Sequence, residues 1–167
     1  MSFYDIRLPE KADLDYIRDS WQRTYERSPD WWQPGIIRDE YYHFTHNLLD
    51  DIITRCWNAG SLLVASKKGA PHLIVGFICA ERDPAGVAFV HWVQVKQRYW
   101  QRGVATALID EFRTRFAIEK DANLLFTFAS QVLSKRDAGM KAVTKFNAVY
   151  YPWAKYGTQP SSEWYLG

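Results

Sequence analysis

Val93-Gln94-Val95 closes a β-rich run, Trp100-Gln101-Arg102-Gly103-Val104-Ala105 follows as a glycine-containing turn, and Thr106 stands where a helix opens. A strand that passes into a helix through such a turn aims several backbone N–H groups and the positive end of the helix dipole at one point, and that point attracts phosphate. The small side chains of Gly103 and Ala105 let a ligand come close to the main chain there. Gln101 and Arg102 can each donate to phosphate oxygens at short range, and Arg102 reads equally well as a solvated surface charge. By itself the turn also fits a tight helix start that holds no ligand. On the run before it, His91 is a base candidate, because an imidazole of ordinary pKa near ~6.5 accepts protons at neutral pH. Strict alternation places it on the same face as Val93. A strand histidine also serves as a hydrogen-bonded structural residue, and no carboxylate lies between Gly86 and Lys96 to act in its place.

Other groupings carry less. His43 and His46 are three apart on a helical stretch, followed by Asp50 and Asp51, but no third histidine or cysteine completes a set with metal-ligand spacing. They read as surface residues, and no metal is expected. Lys135, Arg136, Lys141 and Lys145 form a short basic segment that fits either nucleic-acid association or plain solvation. Cys56 and Cys79 lie in apolar or helical stretches without a short-range partner and read as reduced core residues, which points to a cytoplasmic environment.

The elements that must hold the turn follow from periodicity. Residues 4–8 alternate as a strand up to Pro9, and Leu14, Ile17, Trp21 and Tyr25 recur at helical spacing through 11–27. A Pro- and Trp-containing break at 28–35 precedes a second helix over 37–56, marked by Tyr41, Phe44, Leu48 and Ile52. Residues 62–66, 72–81 and 87–96 predict three antiparallel strands, joined by turns at 67–71 and 83–86. A helix over 103–118, a strand over 123–129, a short helix over 135–145 and a strand over 146–153 complete the order, with Pro152 pointing to an edge or a strand end. One domain over 1–167 is expected, with 155–167 as a polar C-terminal tail.

The charge balance, 21 basic against 19 acidic residues, lacks the concentrated positive field of a dedicated nucleic-acid binder. No run approaches the ~20 apolar residues of a membrane span, so no membrane partner is expected. Eight tryptophans are more than a core of this size easily hides, which points to rings lining a cleft or a partner surface.

The order strand, two helices, three antiparallel strands, glycine turn, helix, strand, helix, strand resembles the GNAT acetyltransferase superfamily along nearly the whole chain. That family's turn reads Arg or Gln, two free positions, Gly, a free position, then Gly or Ala, with a strand-ending apolar residue about five places earlier. Gly103, Ala105 and Val95 match, and Trp100 stands at the Arg or Gln place. The resemblance implies an α/β fold with a mixed, mostly antiparallel twisted sheet flanked by helices, and acetyl-CoA as co-substrate. It also implies an amine acceptor, a small molecule or a protein, that attacks the thioester directly. The protein would be a monomer or homodimer. Backbone groups of Val93 and Val95 would meet cofactor and thioester carbonyl, with Gln94, Gln101, Arg102, Val104, Thr106 and the hydroxyl of Ser134 beside the cofactor. His91 takes the place of the base, and Trp31, Trp32 and Tyr41 that of an acceptor-site wall. The family's acid is a Tyr shortly before the last strand; residues 141–144 contain none, and Tyr150 or Tyr151 is the substitute, one at most because neighbours on a strand face opposite ways. The alternative function is a GNAT-like protein with little or no catalysis, used for binding or assembly as in some virus-encoded members.

Overall fold

A computed structural model describes residues 2–27, 38–128, 145–152 and 154. Its order is β1 (Tyr4–Arg7), α1 (Asp13–Tyr25), α2 (Arg38–Ala59), β2 (Leu62–Lys67), β3 (Ala70–Arg82), β4 (Ala88–Val95), a 3-10 turn (Gln97–Tyr99), α3 (Val104–Arg115), β5 (Leu124–Phe126) and β6 (Ala148–Tyr150). These strands form one six-stranded sheet in the order β1-β2-β3-β4-β5-β6. β1 to β4 pair antiparallel, whereas β5 and β6 join parallel. The mixed α/β architecture is the one the sequence predicts.

Two apolar layers cover the sheet. Ile17, Trp21 and Tyr25 recur every four residues on α1 and meet Leu49, Ile52, Ile53 and Cys56 of α2 over the inner face of β2, β3 and β4. Trp21 stacks on Trp92 with ring centroids 5.6 Å apart. Val104, Leu108, Ile109 and Phe112 of α3 cover the other face with Leu63, Val75, Ile78, Val90 and Leu124. β3, covered on both sides, is buried without a break from Ile74 to Glu81, as expected of a central strand.

The differences from the sequence reading have physical causes. α2 runs three residues past 56 and stops where Gly60 takes φ 72°, with Ser61 N–H donating to Cys56 O at 2.9 Å. The connection before α3 contains the 3-10 turn, which apolar periodicity over three residues cannot signal. β5 covers three residues rather than seven. The helix expected over 135–145 and the tail at 155–167 lie outside the described residues, save residue 145. Cys56 and Cys79 are buried free thiols, and burial pushes both well above the usual thiol range.

One irregularity bears on the site. The β3–β4 register pairs Cys79 with Trp92 but Ala80 with Val90, so His91 is the extra residue of a β-bulge. Just beyond, β3 and β4 approach so closely that a Cβ on Gly76 would come within 2.7 Å of Gln94 O.

Candidate functional site

Parallel pairing of β4 with β5 covers only Ala88, Val90 and the residue between, and its last bond runs from Thr127 N–H to Val90 O at 3.2 Å. Past that point β4 continues to Val95 paired to β3 alone among the described residues. Lys96 N–H donates to Val75 O of β3 at 2.9 Å, so by strand alternation the main-chain groups of Val93 and Val95 turn to the opposite, open edge. Val95 O there accepts the Trp100 indole N–H at 2.7 Å.

A groove of about 370 Å³ lies along this edge. Val93 and Val95 form one side; Tyr99, Trp100, Gln101, Gly103, Val104, Ala105 and Thr106 wrap the end, and Lys145 closes the other side. Gly103 sits in the left-handed region at φ 80°, and among the described residues no side-chain cap bond is made to the helix that follows. The first intrahelical bond is Ala107 N–H to Gly103 O at 2.9 Å, so the amides of Val104, Ala105 and Thr106 have no helical carbonyl in front of them. A Cβ on Gly103 would meet nothing within 4 Å, which marks open space beside those amides. Lys145 Nζ donates to Thr106 Oγ1 at 2.7 Å and so brings a full positive charge to the first turn of α3. Uncapped amides, a helix dipole and an ammonium group facing one cavity suit an anionic ligand.

Eight of the residues expected around the cofactor thus line one groove: Val93, Val95, Trp100, Gln101, Gly103, Val104, Ala105 and Thr106. Gln94 and Arg102 are directed elsewhere. Gln94 Oε1 accepts Trp92 Nε1–H at 2.9 Å, and its amide donates to Ser20 Oγ at 3.3 Å on the α1 face, as alternation with Val93 and Val95 demands. Arg102 stacks its guanidinium over Phe3 and Tyr99, 5.4 and 5.9 Å from the ring centroids. Tyr150 is 50% exposed on edge strand β6, and Tyr151 packs toward Phe89 with centroids 6.5 Å apart; neither borders the groove. Tyr41 stacks on Phe44 and rests against the core beneath α2. Trp31, Trp32 and Ser134 lie outside the described residues, as do 141–144.

His91 requires a correction. It does not share a face with Val93: the bulge places His91 beside Trp92 on the α1/α2 side, while Val93 joins the α3 side. The ring is 1% exposed and both nitrogens are engaged. Nε2 lies 2.5 Å from Glu81 Oε2 and Nδ1 lies 2.7 Å from Thr127 Oγ1. Burial alone would raise the Glu81 carboxyl, but hydrogen bonds and charge from His91 and Arg55 outweigh it and hold the carboxyl below its usual range. Glu81 is therefore an ionised acceptor, which makes Nε2 the donor to Oε2, and Nδ1 shares its hydrogen bond with the Thr127 hydroxyl. Arg55 Nε and Nη2 each reach a Glu81 oxygen at 3.2 Å, and Arg55 also pairs with Asp51 on its own helix. Cys56 adjoins the group, its Sγ within 4.8 Å of the ligand atoms of Glu81 and His91.

Sequence reasoning misses Lys145, Tyr99, Glu81 and Thr127. Tyr99 had a signal, its place in the run before the turn. Lys145 had only its place in the basic segment, and nothing there tied it to the turn, since it meets Thr106 across 39 residues.

A model of the acetyltransferase (GNAT) family matches residues 14–135. No curated protein matches the sequence. Among solved structures, AAC(6')-Iy in complex with the bisubstrate analog CoA-S-monomethyl-acetylneamine is 20% identical, with a TM-score of 0.54 over 90% of this chain and 97% of that one. A Corynebacterium glutamicum structure described as histone acetyltransferase HPA2 and related acetyltransferase is 18% identical, with a TM-score of 0.52 over 68% of this chain and 72% of that one. Ard1 from Thermoplasma volcanium is 23% identical with a TM-score of 0.47; the match takes in 70% of this chain and 65% of that chain, just under two thirds of its length. At their identities the first two structures speak for the fold alone.

Proposed function

The chain belongs to the acetyltransferase (GNAT) family, and from that premise we propose that it transfers an acetyl group from acetyl-CoA to an amine acceptor. The observation that carries this reading is the leading end of α3, uncapped among the described residues and open to a groove that continues along the edge of β4 that β5 leaves unpaired there. The amides of Val104, Ala105 and Thr106 hold the diphosphate. Trp100, at the place of the family's Arg or Gln, gives no charge; Lys145 supplies it from the far end of the chain. The pantetheine arm follows Val93 and Val95, whose main chains face the groove as a strand partner would.

In the reaction the amine lone pair attacks the thioester carbonyl carbon, the C–N bond forms and the C–S bond breaks. The Val93 N–H, turned to the open edge, faces the developing oxyanion, a donor of the kind worth roughly 2.7–4 kcal/mol where one is removed. The coenzyme can leave as a thiolate without an acid from the described residues, because an alkyl thiol has a pKa near ~8.5. His91, buried and bonded at both nitrogens, does not touch the amine directly, and the ammonium proton departs to water.

Thiol release measured with acetyl-CoA and a panel of polyamines, aminoglycosides and peptide amines tests the proposal. At least one amine is expected to raise release above the rate with acetyl-CoA alone. Tight acetyl-CoA binding with no acceleration by any amine would favour the binding-protein alternative, for which the absence of a tyrosine at 141–144 speaks.

A further inference from the structure

We infer that Thr127, His91 and Glu81 form a strap across β3, β4 and the end of β5 that sets the opening between β4 and β5, which makes all three positioning residues for acetyl transfer. This rests on the function proposed above. The strap sits where the two strands part: His91 is the bulged residue of β4, and the last β4–β5 backbone bond joins Val90 to Thr127 itself. One ring nitrogen is tied to β3 through Glu81, the other to the end of β5 through Thr127. Behind Glu81, Arg55 fixes the strap to α2. Glu81, His91 and Thr127 are 7%, 1% and 0% exposed, so water does not compete for these bonds.

The arrangement has a consequence two residues along. The bulge shifts the alternation of β4, so that Val90 and Val93, three apart, share the α3 face. The ring that occupies the bulge therefore decides how the Val93 main chain is presented to the groove. The Arg55 guanidinium faces both Glu81 oxygens and both His91 nitrogens are engaged, so the strap is held by the protein's own groups.

The test compares Thr127→Val, which keeps the branched shape and removes the hydroxyl, with Thr127→Ser, which keeps the hydroxyl. Thr127→Val is expected to lower kcat by about tenfold or more while KM for acetyl-CoA stays within about threefold, because the phosphate anchor at α3 is untouched. Thr127→Ser is expected to restore kcat. A folded Thr127→Val protein with wild-type kcat, or a Thr127→Ser protein as slow as the valine variant, overturns the strap. If the valine variant does not fold, Glu81→Gln replaces it under the same criteria. If the wild type binds acetyl-CoA but turns nothing over, amide hydrogen exchange at residues 91–95 decides: faster exchange in Thr127→Val and not in Thr127→Ser supports the strap, and unchanged exchange in both refutes it. A wild type that binds no acetyl-CoA refutes both this inference and the function on which it rests.

Discussion

Two side chains give the site and its support their charge, and each makes a separate prediction. Lys145 is exposed, so its contact with phosphate is screened and amounts to about 1 kcal/mol. Lys145→Ala is expected to weaken acetyl-CoA binding by about fivefold, with a shallower dependence on salt than the wild type; affinities measured at low and high ionic strength check this. Glu81 concerns stability. Its carboxyl lies below its ordinary value of 4.5 in the folded chain, so the stabilisation is present above that value and is lost as pH falls through the folded one. Glu81→Gln is expected to cost about 2 kcal/mol at neutral pH and to flatten the acid limb of the stability curve, read by denaturant melts from pH 7 to pH 3. An unchanged acid limb would mean that Glu81 is not the group responsible. Neither residue was legible as a partner: Glu81 closes on His91 only because a bulge redirects the ring, and Lys145 reaches Thr106 only through the tertiary fold.

At the scale of elements, the glycine turn and the start of α3 were legible from local signals, since a glycine at a turn and apolar residues at helical spacing act over a few positions, whereas the 3-10 turn between β4 and that glycine was not. Helical spacing predicts a stripe of Val104, Leu108, Ile109, Phe112 and Phe116; the first four are buried, and Phe116, just past the last turn of α3, is partly buried. The fate of β4 was not local. Alternation gave His91 the face of Val93, and one inserted residue reversed it; a bulge leaves no mark in a strand that is packed on both faces, since apolar residues stand at both parities around it. The junction supports a clean substitution. Gly103→Glu places a side chain into open space, at a cost of about 1–2 kcal/mol for the left-handed backbone, partly offset by a negative charge at the start of α3. The variant is expected to remain folded by circular dichroism and to lose acetyl-CoA binding, because its carboxylate takes the phosphate position. Unchanged affinity would move the site elsewhere.

Over the whole molecule, element order was the most legible property, since each helix and strand carries its own period and the sheet joins them in chain order. The acceptor was not legible, because acceptor recognition depends on side chains brought together from separate segments. Among the described residues, no helix is long and apolar enough to cross a membrane. What unites sheet, groove and chemistry is the leading end of α3, and it can be examined without knowledge of the acceptor. Calorimetric titration of the full chain with acetyl-CoA does so most directly. Saturable binding with micromolar affinity, weakened by added salt, is the expected result; no heat at millimolar acetyl-CoA, from protein whose circular dichroism shows it folded, would contradict the assignment of this groove.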